Sequence, residues 1–323
     1  MNLGLALLLA VALLLAVGLG ETALTADQLR LAFADRHSAP AEILWSIRAP
    51  RAAAAALVGG ALGLAGAVMQ GLLRNPLADP GVLGVSAFAG LAAAAVIAMG
   101  LAAAPGAVEL AALVGALSAG VLLTLIAGRL AQPQTLILFG VALSSLGGAL
   151  TSLVFNLSPS PVTTAEVLSW LLGSVANRDW TDVLRGMAPA VPGAALCLLS
   201  GPALSQLTLG EETAALSGVP MARLRMAAVA GAALLTGAAV SVAGVIGFVG
   251  LAAPHLVRRW AGEDPARTLV PSALAGAMLL VAADLAARLI PSAEELKLGV
   301  VTALFGAPVF AVIAWRAARS WRR

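Results

Sequence analysis

Charged residues are scarce in this chain. Only 11% of its 323 residues are Asp, Glu, Lys or Arg, whereas 60% are hydrophobic and the mean hydropathy is +0.98. A water-soluble core cannot hold so large a share of apolar side chains, which excludes a sizeable water-soluble domain. Ten segments of roughly 20 residues, each able to cross about 30 Å of hydrocarbon, would use about 200 positions. We therefore predict an all-α polytopic membrane protein with a single transmembrane domain over residues 1–323.

Residue types that carry out covalent chemistry or bind metals are also few. Cys197 is the single cysteine, so no intramolecular disulfide can form. The histidines, His37 and His255, have no His, Cys or carboxylate partner at a spacing typical of metal ligands. The sequence contains no Gly-x-x-x-x-Gly-Lys-Ser/Thr phosphate loop, and no Ser/His/Asp set lies within the apolar segments. We predict no catalytic residue, no metal site, no cofactor on this chain and no ATP hydrolysis by it.

The positive charge of the chain is small and dispersed. The net charge is only +3, and all but one of the 19 basic residues are Arg, placed singly or in pairs between apolar runs. This pattern orients helices in a membrane and does not build a groove for a polyanion. The predicted partner is therefore the lipid bilayer and not a nucleic acid.

Nine charge-free blocks mark the predicted crossings. They are residues 3–20, 52–73, 80–108, 110–128, 130–165, 186–210, 226–257, 268–283 and 298–315. The first block lacks the preceding basic residues of a signal peptide, so we interpret it as a span. The block 226–257 contains five glycines and is long enough for two short crossings, which gives ten in total. The arginine-rich C-terminal tail favours the cytoplasm, so ten crossings place both termini there.

Small residues dominate the predicted crossings, as in Gly59–Gly66. Because small side chains let helix backbones approach closely, we expect a tightly packed bundle. Residues 57–76 also match residues 235–254 at seven positions. The two segments belong to crossings of opposite direction, so the repeat would be inverted, an architecture common in transporters.

Two groups of charged residues lie at the predicted outer surface. Arg48 and Arg51 stand beside Pro50, where the second crossing begins, so both cations oppose the helix dipole. An external anionic partner explains this placement, and lipid headgroups are the alternative. Asp284 and Arg288 are four residues apart on the ninth crossing and can form a structural ion pair, with an ion-coupling site as the alternative.

Four segments in order resemble the FecCD-type permeases, the membrane subunits of ATP-driven importers for iron–siderophore complexes, haem and vitamin B12. They are Arg48–Ser86, Leu209–Val219, Gly247–Arg258 and Leu298–Pro308, and the resemblance covers about residues 40–316. It implies ten helices in each of two permease subunits, in a homodimer of a bacterial inner membrane. Each subunit would rest on an ATPase subunit that binds ATP and magnesium, and a periplasmic substrate-binding protein would cap the outside.

The resemblance also assigns roles to individual residues. Arg48, Arg51 and Arg288 match arginines that receive acidic residues of the binding protein. Asn75 and Leu77 match a constriction near the cytoplasmic mouth. A second gate usually carries small hydroxyl residues, and here its position is held by Gln132–Thr135, which includes Pro133 and Gln134. The shape of that gate is therefore left open.

A cytoplasmic loop at residues 207–225 suits contact with the ATPase. Its first part, from Glu211 to Ser217, predicts two helical turns with acids at the N-terminal end, and Gly218 and Pro220 separate it from a second short helix that ends at Arg225. Such a rigid pair can press into a groove of another protein, whereas an amphipathic pair lying on lipid is the alternative. The predicted coupling residues are Leu209, Gly210, Glu211, Glu212, Ala215, Gly218, Val219 and Arg223.

The sequence thus favours a permease subunit of an ATP-binding cassette importer. A secondary transporter with inverted repeats is the main alternative, but the predicted crossings provide few midplane carboxylates for an ion site. An exporter would need long cytoplasmic helices, and a scaffold or channel would lack an ATPase partner. An iron–siderophore complex is the first choice of cargo because it is the commonest in the resembled family, with haem and vitamin B12 next.

Overall fold

The computed structural model describes residues 1–20, 22–129, 133–158, 160–290 and 295–320, and these residues form helices and connecting turns without a β-strand. The α-helices are α1 (Asn2–Gly18), α2 (Ala26–Ala34), α3 (Ala39–Glu42), α4 (Ala49–Leu72), α5 (Val85–Ala98), α6 (Ala107–Arg129), α7 (Pro133–Asn156), α8 (Pro161–Leu171), α9 (Trp180–Leu199), α10 (Gly201–Leu207), α11 (Glu211–Leu216), α12 (Met221–Ala243), α13 (Val249–Arg258), α14 (Pro265–Leu289) and α15 (Leu298–Ser320).

Six helical segments of the described chain are long and apolar enough to cross a membrane. They are Ala39–Leu72, Ala107–Arg129, Thr135–Asn156, Trp180–Leu199, Met221–Ala243 and Pro265–Leu289. Shorter apolar helices cover Asn2–Gly18, Val85–Ala98 and Leu298–Pro308. The predicted all-helical membrane architecture is confirmed, whereas ten crossings and two cytoplasmic termini remain predictions.

Helix α4 lies at the centre of the bundle. It packs mainly against α14 and α12, and also against α13 and α9. Most of α4 and α12 is buried, whereas α7 is mostly exposed. We call the end of the bundle at which α4 begins the Arg51 end. The opposite end, where the turn after α4 shares a cavity with Thr208 and α11 begins at Glu211, is the Glu211 end.

The α4–α14 contact depends on small residues. A Cβ atom on Gly59 would overlap the backbone of Gly276, and a Cβ atom on Gly276 would overlap Gly59. One helical turn further along, Gly63 makes the same contact with the carbonyl of Ser272. The two backbones therefore touch, as the small-residue pattern predicts.

The structure corrects the predicted start of the second crossing. The helix does not begin at Pro50, because α3, a π-helical turn at Ile43–Arg48 and α4 form one helical segment from Ala39 to Leu72. The wider π-turn changes the hydrogen-bonding register immediately before the proline, and the amide of Ala49 donates to the carbonyl of Leu44. Arg48 therefore lies inside a helical segment and not at a free, positively polarised N-terminus.

Two predicted crossings are divided differently from the sequence interpretation. The block 226–257 is interrupted at Gly244–Phe248, as predicted, but the helices on the two sides are unequal: α12 has 23 residues, five of them before the block, and α13 has 10. Helix α13 therefore rises about 15 Å, half of the hydrocarbon thickness. The break also limits the internal repeat, since Gly66 is helical whereas its counterpart Gly244 has φ +70° and ends α12. The block 130–165 contains α7 and the separate short helix α8.

Candidate functional site

A cluster of charged side chains joins α4 and α14 at the Arg51 end. The guanidinium of Arg51 donates to Asp284 Oδ1 from Nη2 at 2.7 Å and from Nε at 2.9 Å. Arg51 also pairs with Glu295, which precedes α15 by three residues. Asp284 accepts a further contact from Arg288 at 3.1 Å, and its side chain is fully buried. One buried carboxylate thus serves two arginines from two helices.

The remaining arginine contacts of this cluster go to the end of α1. Arg48 Nη1 donates to the carbonyls of Val17 at 3.3 Å and Gly18 at 2.9 Å, and its Nη2 donates to Thr22. Arg288 Nη2 donates to the carbonyl of Ala16 at 3.1 Å. The last carbonyls of a helix lack partners within the helix and carry partial negative charge. The two arginines supply those partners and hold α1 against the bundle.

The structure confirms the predicted Asp284–Arg288 ion pair and corrects the expected exposure of the arginines. Arg48 and Arg288 are only 5% and 6% exposed. Their role in docking a binding protein remains a prediction. Neither the Arg51–Asp284 pair nor the role of Glu295 was predicted, because Arg51 is more than 200 residues from both partners in the chain and only the fold joins them.

A rigid turn follows α4 at the Glu211 end. The side-chain oxygen of Asn75 accepts from the amide of Leu77 at 3.0 Å, and the amide of Asn75 donates to the carbonyl of Gln70 at 3.2 Å. Gln70 in turn contacts α13, since its Oε1 accepts from Arg258 and its Nε2 donates to the carbonyl of Leu251 at 3.4 Å. Asn75 and Leu77, the residues of the first predicted gate, thus lie on a turn that α13 helps to hold in place.

Only part of the second predicted gate can be placed. Pro133 begins α7 and Gln134 follows it in the helix. The side chains of both residues, and Gln132 altogether, lie outside the described part of the chain.

A cavity of about 420 Å³ lies between the middle of α4, the start of α5 and α7. Its polar lining residues are Asp79, Ser86, Ser144 and Ser145, and none of the described residues lining it is basic. Asp79 Oδ1 accepts from the amide of Gly81 at 2.7 Å and caps a short 3₁₀ turn. The chain after Asn75 folds back beside Leu62 of α4 and so brings Asp79 into the cavity.

The predicted coupling segment forms one short helix and the start of a long one. Helix α11 covers Glu211–Leu216, and Gly218 ends it with φ +89°. No second short helix follows, because Met221 begins α12 and no helix breaker stands after Arg225. Glu211 pairs with Arg225, which ties α11 to α12.

The predicted coupling residues lie on both sides of α11. Of these residues Val219 is buried beneath the segment, next to the buried Ala214 of α11, whereas Glu212, Ala215, Gly218 and Arg223 are exposed. Leu216 is 90% exposed and Leu209 is 70% exposed. Two large apolar side chains are thus left open at an end of the bundle that also carries many polar groups.

The chain is similar to known membrane transport proteins over most of its length. A model of the FecCD transport family matches residues 8–316. The chain is 42% identical over 286 residues to an uncharacterized ABC transporter permease protein, YvrB, of Bacillus subtilis, with 87% of this chain and 80% of that protein covered. It is 41% identical over 271 residues to the vitamin B12 import system permease protein BtuC of Vibrio cholerae, with 83% of this chain and 81% of that protein covered.

A solved structure supports the same grouping. It is described as an inward-facing conformation of a metal-chelate type ABC transporter. It superposes with a TM-score of 0.86 at 30% identity and covers 98% of both chains.

The charge cluster at the Arg51 end predicts a large effect on stability. Replacing Asp284 with Ala would remove the buried carboxylate that pairs with Arg288 and with one side of Arg51. Because a buried charge would then lack its partner, the free energy of unfolding should fall by about 3–5 kcal/mol. Asp27→Ala is the matched control, because Asp27 pairs with Arg30 at the surface and should change it by less than about 0.5 kcal/mol. Unfolding in detergent micelles measures both, and equal effects would contradict a structural role for the cluster.

Proposed function

We propose a function on the premise that this chain belongs to the FecCD transport family. The chain is accordingly a membrane permease of the ABC importer type and not a catalytic subunit. We propose that it moves a large metal chelate from a periplasmic substrate-binding protein across a bacterial inner membrane into the cytoplasm. The observation that carries this proposal is the cavity beside the middle of α4, which is lined by the Asp79–Gly81 turn on one side and by the break between α12 and α13 on the other.

The cargo we propose first is vitamin B12 or a related corrinoid. The relatives named as vitamin B12 permeases include one from Salmonella agona that is 39% identical over 325 residues. The cavity lining adds hydroxyl groups and a carboxylate, which can accept hydrogen bonds from the amide groups of a corrinoid. An iron–siderophore complex and haem are the alternatives that an uptake assay separates.

We propose that two copies of the chain surround one path. Helix α7 exposes large apolar side chains, among them Leu138, Leu146 and Leu153, yet Ser144 and Ser145 on the same helix line the cavity. Hydroxyl groups are favoured beside water or protein more than beside lipid tails. A second copy facing this side would close the cavity into a path and cover the apolar part of α7.

The Glu211 end is proposed as the cytoplasmic side. Arg74, Arg223, Arg258, Arg259 and Arg267 all lie at this end of the helices, as the positive-inside rule favours. Here α11 would contact one of two ATPase subunits, which bind ATP and magnesium. The exposed Leu209 and Leu216 support contact with a protein groove, and the Glu211–Arg225 pair would transmit a push on α11 into α12.

Reconstitution tests the energy source and the cargo. The permease alone in proteoliposomes should hydrolyse no ATP and import nothing, because it has no phosphate loop. With its ATPase and binding protein it should import radiolabelled cobalamin only when ATP is present on the ATPase side. Uptake that needs a proton or sodium gradient and no ATPase would overturn the proposal in favour of a secondary transporter.

The break between α11 and α12 tests the coupling contact. Gly218→Ala with Pro220→Ala should favour one continuous helix, turn α11 away from the ATPase and lower ATP-driven uptake by at least about tenfold. Gly100→Ala is the control, since Gly100 also has a positive φ and free space around it but lies between α5 and α6. Uptake and ATPase binding should survive in the control. If they also survive in the double variant, α11 is only a surface helix.

A further inference from the structure

Arg51 differs from the other two arginines of the cluster in what covers it. Arg48 and Arg288 are buried, and their guanidinium groups are engaged with the carbonyls at the end of α1. Arg51 has a carboxylate on each side. The inner one, Asp284, is fully buried, whereas the outer one, Glu295, is 26% exposed. Of the three arginines, Arg51 thus has the partner that solvent and an incoming protein can reach.

The charges of the cluster would allow a carboxylate from another protein to replace Glu295 beside Arg51. The cluster contains three arginines and two carboxylates, so its net charge is +1. An exposed ion pair contributes little free energy because water competes for both partners. The Arg51–Asp284 contact is shielded from that competition, but the Arg51–Glu295 contact is open to it.

We propose that Glu295 is an internal competitor for Arg51. In the resting permease its carboxylate occupies the outward face of the guanidinium, and an acidic side chain of the docking protein displaces it and takes the same place. The inference rests on the proposed function, because it requires that a binding protein docks at the Arg51 end. It adds a residue that weakens docking and so allows the partner to leave.

The exchange would also reach the cargo path. Glu295 stands three residues before α15, and the first amides of α15 are held by a neighbouring turn: Leu298 donates to the carbonyl of Gly173 and Gly299 to that of Leu172, both at 3.0 Å. The same helix lines a cavity with Val245 and Gly247 from the break between α12 and α13. Val245 and Gly247 also line the cavity proposed as the path. Release of Glu295 therefore removes a restraint on the start of a helix that contacts the wall of that cavity.

A purely structural role for Glu295 makes the opposite prediction. If Glu295 only holds Arg51 in position, its loss should weaken docking, because Arg51 would no longer be oriented for the partner. If Glu295 competes with the partner, its loss should strengthen docking. The sign of the change therefore separates the two roles.

The experiment measures the affinity of the substrate-binding protein of the same transport system for the permease in nanodiscs, at low and high salt. Glu295→Gln and Glu295→Ala should each bind it about three- to tenfold more tightly at low salt, with the difference shrinking at high salt. Arg51→Ala should bind it more weakly, and adding Glu295→Gln to Arg51→Ala should change nothing further.

Glu109→Gln controls for the general loss of negative charge. Glu109 pairs with Arg178 at 2.8 Å at the same end of the bundle, and its side chain is 24% exposed, close to the value for Glu295. This variant should leave the affinity unchanged. Tighter binding by Glu109→Gln of equal size would show a non-specific charge effect and overturn the inference.

The remaining outcomes are also decisive. If Arg51→Ala weakens docking while the Glu295 variants weaken it or leave it unchanged, Glu295 is a structural partner and the competitor role is wrong. If Arg51→Ala leaves docking unchanged in a correctly folded permease, Arg51 is not the docking residue. The proposed docking site and the competitor then both fail, although ATP-driven uptake can still hold.

Discussion

The contact between α4 and α14 is the constraint on which the rest of the structure depends. Gly59 and Gly63 bring the two backbones together against Gly276 and Ser272, and the Arg51–Asp284 ion pair fastens one end of the same contact. A backbone contact leaves no room for side chains to rearrange, and a buried ion pair is costly to break. The two helices therefore form one rigid pair.

The other helices differ in how firmly they are attached to this pair. Helix α1 is held by Arg48 and Arg288, and α13 is held at the other end through Gln70 and Arg258. Helices α7 and α15 make few contacts with the pair and expose apolar side chains. We propose that the α4–α14 pair connects the Arg51 end to the Glu211 end without bending, and that α7 and α15 move against it to open and close the path.

The sequence predicts the local features of this arrangement and misses those that need the fold. Charge-free segments predict helices, small residues predict close packing, and Gly218 predicts the end of α11 because such turns need a positive φ. The break at Gly244 was also predictable, since the block was too long for one span.

The start of the second crossing was not predictable, because a π-turn lets the helix continue through the Pro50 region. The position of Asp79 in a cavity depends on how the chain folds back after Asn75, which no local pattern indicates. The charge cluster was half predictable: the Asp284–Arg288 pair follows from helical spacing, whereas Arg51 finds its partners only in the folded bundle.

The rigidity of the α4–α14 pair can be tested with a disulfide. A Cβ atom on Gly60 would lie 3.8 Å from Cβ of Ala277, and about 3.8 Å is the usual Cβ–Cβ distance in a disulfide. Cys197 is the single native cysteine, so Gly60→Cys with Ala277→Cys in a Cys197→Ala background gives one defined cross-link. The measurement is ATP-driven uptake by the reconstituted transporter before oxidation, after oxidation and after reduction. If the α4–α14 pair is rigid, uptake is the same in all three states. Loss of uptake on oxidation and its recovery on reduction would show that α4 and α14 must separate during transport, and the pair would then not be rigid.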